Sequence, residues 1–128
     1  MNRPIATLSS EALQRNILDI LCWHIGRKKS IKRDDIIHEL AKRGLVEGVD
    51  SNTERRVRDA IHELRNQGHI ICSVAAGDGG YFIAAEKDEV FEFIDTEIQP
   101  RINDLSKTKK AILDSARKQF GNTQIGLF

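Results

Sequence analysis

Two groups of basic residues are dense enough to do chemistry. Arg27, Lys28, Lys29, Lys32 and Arg33 place five cations in seven residues, and Arg55, Arg56 and Arg58 form a second group. A guanidinium can clamp a phosphate or make a bidentate contact with guanine, and Asn52 and Thr53, just ahead of the second group, can add hydrogen bonds. The competing reading is a solvated face. Glu54 with Arg58, and Asp59 with Glu63 or His62, mix charges as any exposed helix does.

Catalytic and metal chemistry find little support in the spacing. His24, His38, His62 and His69 are scattered, and neither a Cys-x-x-Cys nor a His-Glu-x-x-His pattern occurs. Cys22 with His24 supplies two ligands at most. Gly77, Gly79 and Gly80 come between extended runs rather than opening a helix, so they do not make a phosphate loop. No spacing suggests a hydrolase triad. The expectation is a protein that is not an enzyme and carries no cofactor or metal, with Cys22 and Cys72 as buried free thiols.

Composition narrows the class further. The 128 residues are 40% apolar and 30% charged, with 20 Lys and Arg against 19 Asp and Glu, which suits a globular chain the size of one ordinary domain. Aromatic residues make up only 5%, so a core of Ile, Leu, Val and Ala is expected and a broad base-stacking platform is not. No apolar stretch approaches bilayer length, and Met1-Asn2-Arg3-Pro4 does not open a secretory signal, so a cytoplasmic protein without a membrane partner is expected.

The elements that would position the cations follow from periodicity. Leu13, Ile17, Leu18, Ile20, Leu21 and His24 predict a first helix from Ser9 to Ile25, stopped by Gly26. A basic loop and a short extended Ser30-Ile31 lead to a second helix from Arg33 to Arg43. Asp34 and Asp35 occupy its first turn, Ile36, Ile37 and Leu40 face inward, and Gly44 closes it. Ser51-Asn52-Thr53-Glu54 reads as a capping box opening a third helix. In that helix Val57, Ala60, Ile61 and Leu64 make one apolar stripe, and Gly68 ends it. Runs at Ile70 to Ala75 and Tyr81 to Ala84, separated by Gly77-Asp78-Gly79-Gly80, predict a hairpin.

Helix, short strand, helix, helix and hairpin is the order of a winged helix-turn-helix, expected over residues 1–85 of a mainly α (α+β) chain. In that architecture the third helix enters the DNA major groove, which puts Arg55, Arg56 and Arg58 at the right end. The hairpin has no Lys or Arg between Ile70 and Ala85, only Asp78, so DNA binding would lean on the third helix and the cluster from Arg27 to Arg33. An acidic wing also suits a domain that binds protein.

From Asp88 to about Phe120 the pattern is helical again, with Val90, Ile94, Ile98, Ile102, Leu105, Ile112, Ala116 and Phe120 on one stripe. A straight helix of that length would span roughly 50 Å. Much of the stripe would lack a partner within one chain, so residues 86–120 are expected to dimerise through Ile94, Ile98, Ile102, Leu105 and Ile112, as a coiled coil or antiparallel. The alternative is that the first half folds back on the domain before it. Pro100 predicts a kink or a break. Charge is split along this segment: residues 86–99 hold one Lys against six acids, whereas residues 100–128 hold six cations against two. Such halves would attract each other in an antiparallel pair.

The segment ends with Gly121-Asn122-Thr123 and then Gln124-Ile125-Gly126-Leu127-Phe128. This pentapeptide resembles the one by which bacterial replication and repair proteins bind the sliding clamp of the replicative polymerase. Ile125 stands for the commoner leucine, and Gly126 for the commoner serine or aspartate. With Gly80 to Ala84 and the long helix, the whole chain resembles small bacteriophage winged-helix proteins with a similar ending. The resemblance implies a tail whose glutamine fixes register while Leu127 and Phe128 fill an apolar pocket. Each buried side chain contributes roughly 1.5–3 kcal/mol before the cost of association, so one tail should bind on the order of micromolar. The expected partners are double-stranded DNA, the bacterial sliding clamp and a second copy of the chain. The alternative is a dimeric transcriptional regulator with an incidental tail.

Overall fold

The computed structural model describes residues 9–75 and 79–121, a mainly helical chain with one small antiparallel sheet. They fall into two compact units, one up to Phe93 and one from Ile94. No helix among the described residues is long and apolar enough to cross a membrane.

The first unit begins with α1 (Ser10–Leu21), whose cap Ser9 accepts a hydrogen bond from the Ala12 amide at 3.2 Å. The helix stops short of the expected Ile25. Beyond Leu21 the backbone is claimed by another element: the His24 carbonyl accepts from Ile83 N–H at 2.9 Å, and Gly26 N–H donates to the Ile83 carbonyl at 2.8 Å. Ile25 therefore sits in a bridge to Ile83, and a 3₁₀ turn follows at Arg27–Lys29. Cys22, expected to be buried inside the helix, caps its end and is exposed, whereas Cys72 is buried as expected.

α2 (Arg33–Lys42) and α3 (Ser51–Asn66) occupy the expected spans. The cap of α3 is different: Asp50 is the N-cap, and its Oδ1 accepts from the Thr53 amide at 2.7 Å. Ser51 is already helical, and Glu54 reaches Arg33 rather than closing a capping box. A carboxylate is the stronger acceptor for an amide at the positive end of a helix, and the amide bonds hold the Asp50 carboxyl below its usual range.

β1 (Ile71–Ser73) pairs antiparallel with β2 (Tyr81–Ile83), placing Cys72 opposite Phe82. Ile31 makes a reciprocal pair of backbone bonds with Tyr81, at 2.9 and 2.8 Å. Gly80, at φ +140°, lies so close to that bridge that a Cβ would come within 3.2 Å of the Ile31 carbonyl and of Ser30. The core is aliphatic: Ile17, Leu21, Ile36, Ile37, Leu40, Val57, Ile61 and Ile71 are almost fully buried, with Leu64 and Phe82 beside them.

α4 (Lys87–Phe93) closes the first unit. Its Glu89 carboxylate accepts from the amides of Ala85, Glu86 and Arg27 at 2.7, 3.2 and 2.7 Å. Phe93 lies under the Arg65 guanidinium, 4.8 Å from ring centre to charge, while Arg65 Nε donates to the Ile71 carbonyl at 2.7 Å.

The second unit opens with a π-helical turn at Ile94–Ile98 and continues as α5 (Gln99–Phe120), a helix of 22 residues. Pro100, expected to kink or break the run, sits in the first turn of α5, immediately after the π-helical turn that separates α5 from α4. Neither the π turn nor α5 contains a buried residue.

Candidate nucleic-acid interface

The helix that would meet DNA is positioned by its own apolar stripe. Val57, Ala60, Ile61 and Leu64 are buried on α1 and α2, which turns the opposite side of α3 outward. Arg55 stands opposite that stripe, with Arg58, Asp59 and His62 beside it and Asn52 near the amino-terminal end; all five are exposed. Arg55 and Arg58 make no ion pair or hydrogen bond among the described residues.

Thr53 and Arg56 do not belong to this face. Thr53 is buried, at 6% exposure, one helical turn before Val57 on the same inward face of α3, so the expected hydroxyl contact at the helix tip is withdrawn. Arg56 is half-buried in a cleft between α1 and α3 lined by Ser10, Leu13, Gln14, Asp59 and Glu63. Carboxylates in that cleft compete with any phosphate for it.

The cluster from Arg27 to Arg33 is divided in the same way. Arg27 is held by α4: its guanidinium pairs with Glu92 and its amide with Glu89. Three amide bonds and the nearby Arg27 charge keep the Glu89 carboxyl below its usual range. Arg33 bridges to Glu54 of α3 at 3.1 Å. Of the five residues expected to contact DNA, Arg27 and Arg33 are thus engaged in ion pairs within the first unit. Lys28 and Lys29 are exposed on the 3₁₀ turn.

Lys32 is exposed at the N-cap of α2, which has no side-chain cap, and it lines a cleft of about 320 Å³ with Arg33, Ser73, Gly79, Gly80 and Tyr81. The start of α2, a lysine and the base of the hairpin thus come together at one place, where a helix dipole and a cation favour an anion and the Asp34 carboxylate, which lines the same cleft, opposes one. The hairpin residues 76–78, Asp78 among them, lie outside the described residues.

Linear spacing gave no sign of Arg65 or Glu89, which tie β1, α4 and the 3₁₀ turn together. Arg65 reaches Ile71 and Phe93, 6 and 28 positions away, and Glu89, besides the local amides of Ala85 and Glu86, reaches the Arg27 amide 62 positions away.

Among the described residues no group of three or more His, Cys, Asp or Glu could hold a metal ion. Burial raises the Cys72 thiol above its ordinary value, with Arg65 opposing the shift. The residues expected to dimerise the chain are largely open: Leu105 and Ile112 are exposed, as are Ile94 and Ile102, while Ile98 is half-buried. The proposed clamp peptide, Gln124, Ile125, Gly126, Leu127 and Phe128, lies outside the described residues.

No protein-family model matches the chain, and neither a curated protein nor a solved structure does.

Proposed function

We propose that the first unit is a winged helix-turn-helix that binds duplex DNA, and that the chain is a non-enzymatic adaptor in phage replication or its control. On this reading the peptide Gln124–Phe128 docks on the bacterial sliding clamp. The DNA part rests on one observation: Arg55 and Arg58 stand exposed, and unpaired among the described residues, on the outer face of a helix whose other face is packed into the core. Two guanidiniums on an outward helix face suit base edges or phosphates in a major groove. Lys28, Lys29 and Lys32 would add backbone contacts, Lys32 beside the uncapped start of α2. The clamp part rests on the glutamine, aliphatic and Leu-Phe positions of the pentapeptide. Weak binding by such a tail would be raised by a simultaneous DNA grip, through effective concentration rather than new contacts.

Fluorescence anisotropy on a labelled duplex, titrated with salt, tests the DNA part. Binding should weaken steeply with salt, and Arg55→Ala with Arg58→Ala should weaken it and flatten the slope by about one for each phosphate no longer neutralised. Absence of binding at low salt would end the reading. Calorimetry of a peptide covering residues 119–128 against purified clamp tests the other half, with Leu127→Ala and Phe128→Ala removing the heat. Duplex binding without clamp binding would leave a DNA-binding regulator.

A further inference from the structure

The second unit carries an apolar stripe that no described residue of that unit covers. Ile94, Ile98, Ile102, Leu105, Leu113, Ala116 and Phe120 recur at steps of three, four and eight, with Ile112 beside Leu113. Lys109 occupies the one gap, four residues beyond Leu105. Leu105 is 71% exposed and Ile112 63%. A helix so exposed along its apolar face requires an occupant.

The charges of the segment say which. Asp95 and Glu97 lie on the π turn at one end, and Arg117 and Lys118 at the other, with Lys107, Lys109 and Lys110 between. Two copies side by side in the same direction would set Lys109 against Lys109 within the apolar seam and each basic end against its own kind. Reversing one copy removes both conflicts. With the stripes fully overlapped, Ile94 faces the partner's Phe120, Ile98 faces the partner's Ala116, and Ile102 faces the partner's Ile112. Lys109 then lies against the partner's Leu105, where its methylene stem covers apolar surface and its ammonium reaches water. Asp95 and Glu97 come beside the partner's Arg117 and the partner's Lys118. Arg117 already leans on Asp114 at 3.6 Å, so Lys118 is the freer cation. Opposed helix dipoles favour the same orientation.

We propose that this face of α5 and the preceding π turn is covered by a second copy of the chain running antiparallel, with Ile98 against the partner's Ala116. The inference is independent of what the first unit binds.

Sedimentation equilibrium on the full chain should give a dimer at micromolar concentration. Ile102→Lys places a cation against the partner's Ile112 and close to the partner's Lys109, so it should raise the dissociation constant by about a hundredfold or more. Circular dichroism should show helix content retained. Orientation is read by single cysteines in a Cys22→Ser background. A mixture of Ile98→Cys and Ala116→Cys chains should form a mixed disulfide on mild oxidation, while each alone should not. Added salt should weaken the dimer, whereas a parallel pair would be strengthened by screening its like charges. A monomer at these concentrations, an Ile102→Lys dimer of unchanged affinity, or disulfide homodimers from each single variant would overturn the proposal.

Discussion

α3 and α5 are both amphipathic helices, of 16 and 22 residues, with apolar residues at helical spacing, yet they end in opposite states. The stripe of α3 is buried on α1 and α2, whereas α5 has no buried residue. Periodicity therefore shows that a face must be covered, not what covers it. In α3 the cover comes from the same chain, and that fixes which cations point outward. In α5 no described residue is buried, and the proposed second copy would supply the cover.

Truncating one side chain on each stripe makes the contrast measurable, and it carries the largest effect. Ile61→Ala should destabilise the first unit by about 2–5 kcal/mol, since Ile61 is 1% exposed and close-packed neighbours cannot fill the space. Leu105→Ala should change the unfolding of that unit by less than about 0.5 kcal/mol. Urea titrations followed by circular dichroism, with hydrogen exchange of α1 amides as the local probe, compare the two. Equal losses would mean that α5 contributes to the core of the first unit.

The same comparison explains how much of the molecule can be read from residues alone. α2 and α3 are legible because their stripes are regular and Gly44 and Gly68 follow them. The end of α1 is not, because His24 and Gly26 give their backbone bonds to Ile83, nearly 60 positions away. The candidate interface is legible in kind, since the arginines lie on α3 as spacing required. Which cations remain available is not legible. Glu89, Glu92 and Glu54 take Arg27 and Arg33. Charge in a local window reports density, whereas availability depends on carboxylates that the fold brings from elsewhere.

Gly80 sharpens the difference on the sheet side of the first unit. Gly80→Ala would need a left-handed φ of +140° and would push a methyl to 3.2 Å from the Ile31 carbonyl. It should cost about 1–3 kcal/mol, seen as a lower urea midpoint and faster exchange at the Tyr81 and Ile31 amides. Gly121→Ala, at φ +84° with open space around it, meets only the backbone strain and should cost less. A smaller effect belongs to the start of α3. Asp50→Ala should lower the midpoint, while Ser51→Ala should leave it nearly unchanged, because the Thr53 amide bonds to Asp50. The reverse order would restore the serine cap.

The smallest effect concerns the carboxylate that ties α4 to the turn at Arg27. Glu89 accepts three amide hydrogen bonds in the folded chain and none of them when unfolded, so folding lowers its pKa from 4.5. A lowered folded value means that the unfolded chain takes up the proton first as pH falls. The stabilisation is complete above the ordinary glutamate range and is lost as pH descends through the folded value. Asp50 titrates in the same direction in the same region, so the wild-type profile alone cannot separate the two. Glu89→Gln keeps the shape and removes the charge. Its urea midpoint should lie below wild type at neutral pH and converge with it under acid, and Asp50 cancels in the difference. A gap that stayed constant with pH would mean that Glu89 holds α4 by its shape alone, and that the paired Arg27 and Glu92 supply the electrostatic part of the tie.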